Sequence, residues 1–143
     1  MLYSNNYINF DLVNKNILLF NLNKAKPENN EWYEMKDALT KFFQCCLQKK
    51  FKVSLLFDIT KSDVIDNSYL LDFVDWLQNN EEIIENCISC SSIICNNTLV
   101  KTIVNGILMI YSTKKPFKIC KNIDEAYFFI NDHNMNINSE VKN

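Results

Sequence analysis

One glycine, two prolines and one histidine are all that this chain of 143 residues holds of three residue types on which much protein chemistry rests. Each scarcity excludes something. The only glycine is Gly106, inside a helical pattern, so no glycine-rich loop can bring a row of backbone amides up to a nucleotide phosphate. Its expected role is close packing of that helix on a sheet. The only histidine is His133, in a polar C-terminal stretch, and a Ser-His or Cys-His couple built into the core is therefore not available. Positive charge is not in surplus either. The net charge of -2 provides no broad cationic field, and no nucleic-acid partner is expected. The lysine clusters Lys49, Lys50, Lys52 and Lys114, Lys115, Lys118 read as solvated rims beside strand starts. Long apolar runs are missing too. The most apolar stretch, Leu99 to Tyr111, is interrupted by Lys101, Thr102, Asn105 and Gly106 and falls short of the ~20 residues of a membrane span. The first residues carry neither the basic start nor the apolar core of an export signal, so a cytoplasmic location is expected, with six cysteines kept as thiols.

What is present is a globular composition with an alternating pattern. Apolar residues make up 48% of the chain and charged ones 22%, which suits a packed domain, and the length fits one domain and not two. Tyr7 to Leu12 alternates as a half-buried strand, and Ile17 to Leu22 resumes after the polar turn Asn14–Asn16 to complete a hairpin. After Pro27 a long helix carries Trp32, Met35, Leu39, Phe42, Phe43 and Cys46 on one stripe and closes at Lys49 and Lys50. Phe51 to Ile59 reads as a strand buried on both faces around Leu55 to Phe57. A helix over Tyr69 to Glu85 turns Leu70, Phe73, Val74 and Leu77 inward and Asp72 and Asp75 outward, with a break or bend at Asn79-Asn80. Ile88 to Cys95 is a strand, Leu99 to Tyr111 a helix ended by Pro116, and Phe117 to Cys120 a short strand. Asn122 caps a last helix with Glu125 in the capping-box position and Ile123, Tyr127 and Ile130 inward. The order β-β-α-β-α-β-α-β-α predicts a single α/β domain over residues 1–131. Its sheet is mixed and mostly parallel, its helices pack mainly on one face, and a flexible polar tail occupies residues 132–143.

Few residues in this frame bear chemistry. Cys87-Ile88-Ser89-Cys90 has the spacing of a redox pair but precedes a strand, where no helix dipole lowers a thiol pKa. A second such pair is lacking, so a zinc site would have to recruit Cys95, Cys120 or His133. Core packing is the expected role of these cysteines, and neither a metal nor a cofactor is expected. The acidic pairs Asp72/Asp75 and Glu81/Glu82 sit on helix faces that read as solvated. No catalytic residue is assigned, and the chain is not expected to be an enzyme.

The segment FDITKSDVIDNSYLLDFVDWL, Phe57 to Leu77, is the most informative. A strand ends near Asp58, a loop holds Thr60 and Ser62, and a helix opens at Asp66-Asn67-Ser68. It resembles the bacterial anti-anti-sigma factors and the wider STAS domain family, whose pattern is a strand ending in Asp, a hydroxyl residue two later, then Asp-Ser-Ser-Gly opening a helix. Asp58, Thr60, Asp66 and Ser68 fall on the matching positions, with Val64 and Ile65 as the apolar residues before Asp66. Asn67 stands in place of the first serine and Tyr69 in place of the glycine. The stretch Leu99 to Ile130 is also similar to the SpoIIAA-like branch, and the element order agrees from Tyr7 to Ile130. The resemblance implies a phosphoacceptor at Ser68 and a partner protein, a kinase or a regulatory target. A phosphate there would add about -1.5 to -2 charges at an exposed helix start. The alternative is that Asn67 or Ser68 merely caps the helix.

Leu99 to Tyr111 is apolar nearly all round. Beside its inward stripe, Leu99, Met109 and Ile110 point elsewhere, so the helix is either deeply buried or meets something: a second copy, a partner, or a lipid-like ligand beneath it. The expected function is a protein-binding or regulatory module of STAS type, with Asp58, Thr60, Asp66, Asn67, Tyr69, Leu99, Met109 and Ile110 as candidate partner surface. The alternatives are a structural or assembly protein with the same fold and no switch, and a small apolar-ligand or lipid-binding domain.

Overall fold

An antiparallel edge comes first. In a computed structural model of the chain, β1 (Tyr3–Ser4), β2 (Ile8–Val13) and β3 (Ile17–Leu22) run antiparallel, and Val13 pairs with Ile17 across the turn. Asn14 and Lys15 take left-handed backbone, φ 47° and 72°, which reverses the chain in three residues. Alternation did not foretell β1. It is held by the Asn5 side chain, whose Oδ1 accepts from the N–H groups of Tyr7 and Ile8 at 2.8 Å each. The structure describes residues 1–28, 30–61, 67–110 and 115–142, and among these the side chains of Asn67, Leu99, 107–110 and 135–142 are left aside.

β4 (Val53–Asp58), β5 (Ile88–Ile94) and β6 (Phe117–Cys120) follow β3 across the sheet in chain order, each parallel to the one before. Right-handed crossovers taken always in one direction keep the connecting helices on one face. These are α1 (Glu31–Lys49), α2 (Asn67–Asn79), α3 (Glu81–Cys87) and α4 (Thr98–Ile110), while α5 (Ile123–Lys142) follows the last strand and covers the opposite face. Two cores result. The larger packs Trp32, Met35, Leu39, Phe43, Trp76, Ile84, Val100 and Val104 on Phe20, Val53, Leu55 and Ile88. The smaller sets Ala126 and Ile130 of α5 on Ile17, Leu56, Cys90, Ile94 and Cys120. β4 is central and buried on both faces, as its continuous apolar run implied. The α/β class, the mostly parallel mixed sheet and the one-sided helices all match the expectation.

The helix over Tyr69 to Glu85 breaks into two at Asn80, as the Asn79-Asn80 pair implied; the Asn80 side-chain amide donates to the Trp76 carbonyl at 2.6 Å and ends α2. Other local expectations change. α5 does not stop near Asn131 but stays helical to Lys142, through the stretch expected as a tail, because no glycine or proline halts a helix that extends cheaply once begun. Its inward residue in the first turn is Ala126, fully buried, whereas Ile123 is 39% exposed. The capping box is present in a shifted form: Asn122 Oδ1 accepts from the Glu125 N–H at 2.8 Å, and Glu125 Oε2 accepts from the Lys121 N–H at 3.3 Å. Gly106 does not pack on the sheet. It is exposed, and a methyl group there would meet nothing within 4 Å. No described helix is long and apolar enough to cross a membrane.

Candidate functional site

The larger core is not filled. Between the sheet and α2 and α4 lies a cavity of about 170 Å³ with an almost wholly apolar wall. Phe20, Leu55, Phe57 and Ile93 form its floor. Leu70, Phe73, Val74 and Leu77 of α2 and Val104 of α4 form its roof, and Trp32 and Met35 of α1 close one side. The inward stripe read from the α2 sequence thus lines this space while still touching the strands, where Phe73 meets Phe57.

Aromatic rings hold this space open. Phe57 stacks on Phe20 with centroids 4.6 Å apart and meets Phe73 edge-on at 5.5 Å. Phe73 in turn stacks on Trp76 at 5.7 Å, and the Trp76 indole donates to Thr40 Oγ1 of α1 at 3.1 Å. A second group, Tyr7, Trp32 and Tyr69, meets at centroid distances of 5.3 to 6.5 Å. Flat, rigid rings pack by their edges and faces and do not collapse into an adjoining gap as long aliphatic chains do. An enclosed apolar cavity of about 150 Å³ admits benzene, and this space, which opens partly to solvent, has a comparable volume.

Among the described residues, the wall also includes Asp58, Ser91 and Lys115. Asp58 is the last residue of β4, and its Oδ1 accepts from both the backbone N–H and the hydroxyl of Thr60, at 3.0 and 2.6 Å. That local turn carries the chain out of the sheet at the carboxyl ends of the parallel strands, where ligands of open α/β sheets bind.

The candidates from the β4–α2 segment divide. Thr60 is exposed beside Asp58, and Ser68, the second residue of α2, is exposed too. Tyr69 is half-buried and turns its ring into the cavity wall. Asn67 is the first residue of α2, and its side chain lies outside what is described, as do Asp66 and Ser62 altogether. Leu99, Met109 and Ile110 belong to α4, and their side chains likewise lie outside the described set.

The cysteines are distributed as packing residues. Cys87 belongs to the larger core and Cys90 to the smaller, so the Cys-x-x-Cys pair is split between the two faces of the sheet. Cys90 Sγ donates to Ser54 Oγ at 3.4 Å, and Ser92 Oγ meets Cys120 Sγ at 3.2 Å, both buried beneath α5. Burial pushes the Cys87 and Cys90 thiols up, and it pushes Cys46, which also lies near Cys87, up to about 11. Thiols raised in this way are poor nucleophiles at neutral pH.

Sequence reasoning placed Leu70, Phe73, Val74 and Leu77 inward but missed Lys115, Ser91 and the aromatic floor as parts of one site. The available signal was the aromatic content of 13%, with four of these residues in α1 and three in α2. Set against known proteins, the chain matches no family model, no curated protein and no solved structure.

Proposed function

We propose that this chain is a non-catalytic binding domain that takes a small apolar molecule into the cavity beneath α2 and α4. The observation that carries this reading is the cavity itself: about 170 Å³, walled by aromatic and aliphatic side chains, along the face of the sheet beneath α2 and α4. Two further features support it. The groups on the wall are suited to holding a ligand and not to attacking one, and the raised thiols pack in the cores. Five of the six cysteines are buried as free thiols, which suits a reducing compartment such as the cytoplasm. Benzene titration followed through methyl resonances tests it. Leu70, Leu77 and Val104 shift while Leu56, beneath α5, does not. Val74→Phe, which fills the space from the roof, abolishes the response and raises the melting temperature of the free protein. Methyl shifts spread evenly over both cores, or binding unchanged in Val74→Phe, would overturn the reading.

A second reading, a STAS-type regulatory module, is favoured by one observation: Ser68 is exposed in the first turn of α2. Phosphate at a helix start is tolerated by the helix dipole and would repel an acidic partner surface. A partner kinase or regulatory target belongs to this reading, as does a homodimer through α4. Pull-downs with wild type, Ser68→Ala and Ser68→Asp test it, Ser68→Asp being expected to change what is retained. Identical retention by all three proteins would favour a structural or assembly role with no switch.

A further inference from the structure

The order of groups along the cavity narrows the class of its occupant, on the premise that the cavity binds a ligand. Strand register gives the layout. Leu55, Ser91 and Phe117 stand side by side on β4, β5 and β6, and Phe57 and Ile93 stand side by side two residues nearer the carboxyl ends. Each of these lines the cavity. Lys115 lines it too, on the other side of Phe117, two residues toward the amino ends. Along the strand direction it therefore lies about 13 Å from the level of Phe57 and Ile93.

Shape follows from that length. A volume of about 170 Å³ drawn out along the sheet is a slot and not a chamber for one compact ring. Its wall changes along the way. Toward the carboxyl ends it is aromatic, with Phe57 and Phe73 meeting edge to face. Toward Lys115 it is mainly aliphatic, with Leu77, Ile84 and Val104 of the helices over Leu55 and Ile88 of the sheet. A flexible carbon chain laid along the strands touches both walls of such a slot over its whole length.

Charge fixes the direction. The two ionic groups on the wall stand at opposite ends. Oδ1 of Asp58, at the carboxyl end, already accepts two hydrogen bonds from Thr60. Lys115 is half-buried and, among the described residues, has no carboxylate within ion-pair distance. An ammonium at the end of an apolar slot favours an anionic head that keeps some contact with water.

We infer that the ligand is a straight-chain carboxylic acid, its carboxylate at Lys115 and its chain running along the slot toward Phe57 and Phe73. An extended carbon chain advances about 1.2 Å per bond, so about eight carbons and the reach of one ionic hydrogen bond fill the distance. No bond is made or broken.

The test is calorimetric titration of the full chain with butanoate, hexanoate, octanoate, octanamide, octylammonium and benzoate, beside the benzene titration. Octanoate binds about tenfold more tightly than octanamide, and added salt reduces the difference. Each two-carbon step from butanoate to octanoate tightens binding about tenfold. Lys115→Gln brings octanoate down to the affinity of octanamide, and Lys115→Arg keeps the preference. If benzene binds but octanoate does not exceed octanamide, or its preference survives in Lys115→Gln, the inference is wrong while the apolar site stands. Benzoate binding more tightly than octanoate, or affinity independent of chain length, would replace the chain by a ring and overturn it. Tighter binding of octylammonium than of octanoate would move the head to Asp58 and overturn it equally. If benzene, octanamide and octanoate all fail to bind, the cavity reading itself fails.

Discussion

The indole N–H of Trp32 donates to the carboxylate of Asp72 at 2.5 Å, joining α1 to α2 beside the cavity. Lys36 adds an ionic hydrogen bond to the same oxygen at 2.6 Å. Asp72, which the helical pattern turned toward solvent, is therefore the polar clasp of the cavity roof, while Asp75 is exposed as expected. Partial burial by itself would raise the Asp72 pKa, but the hydrogen bonds from Lys36 and Trp32 outweigh it and hold the carboxyl below its ordinary range. A folded-state pKa below the unfolded value stabilises the protein above the unfolded pKa, near 4. The contribution is lost as pH falls through the lowered folded value. Melting temperatures measured from about pH 7 down to about pH 2 should show a loss in that acid window that is smaller in Asp72→Asn. Asp72→Ala should cost about 1 kcal/mol at neutral pH, the exposure of the carboxylate having been allowed for. An acid limb identical in wild type and Asp72→Asn would show that this clasp contributes nothing measurable.

Leu55 and Leu56 are neighbours on the central strand and face opposite cores. Leu56 is fully enclosed beneath α5, whereas Leu55 borders the cavity. Truncating a buried leucine costs its transfer energy plus a term for the space left behind. A side chain that already adjoins empty space gives up fewer contacts when it is removed. Denaturant unfolding should therefore place Leu56→Ala at about 3 to 5 kcal/mol of destabilisation and Leu55→Ala about 1 kcal/mol below it. Equal costs would indicate that α2 collapses onto the strand in solution and that no space persists there.

Thiol accessibility gives an independent reading of the two cores. Cys45 is exposed, while Cys46, Cys87, Cys90, Cys95 and Cys120 are buried. At about pH 8 a disulfide reagent should modify one thiol promptly in the native protein and all six in denaturant. Rapid native modification of Cys87 or Cys90 would mean that a reactive pair has access to solvent, against the packing described.

How much of this was legible follows from what each pattern encodes. Period-two alternation in Tyr7 to Leu12 and the unbroken apolar run in Leu55 to Phe57 report the environment of single residues, and the strands built from them are where the pattern put them. Asn80 declared itself as a breaker because its amide competes for backbone carbonyls. Asp72 was misread because a helical wheel says which side a residue faces and not which helix stands there. The cavity was illegible for a related reason. Phe20, Phe57, Phe73 and Trp32 each carry a core signature, and only their mutual distances show that they frame a gap. Lys115 looked like part of a solvated lysine rim, since nothing local to it records the opposing wall.

Gly106 offers the sharpest check on the surface of α4. It lies in the interior of that helix, is exposed, and has open space where a Cβ would be. Nothing in the backbone demands glycine there, because no glycine in the chain has positive φ. Glycine in a helix interior is less favourable than alanine by about 1 kcal/mol, mostly through the freedom it keeps in the unfolded chain. Gly106→Ala should therefore raise the melting temperature by about 4 °C, leave the denaturant slope unchanged, and leave benzene binding intact. A fall in stability would have one physical meaning. Another surface rests on α4 at this position in solution and needs the space that glycine leaves. A bulkier Gly106→Leu should then also shift the sedimentation or scattering mass, while in an uncovered helix it would leave the mass as it was.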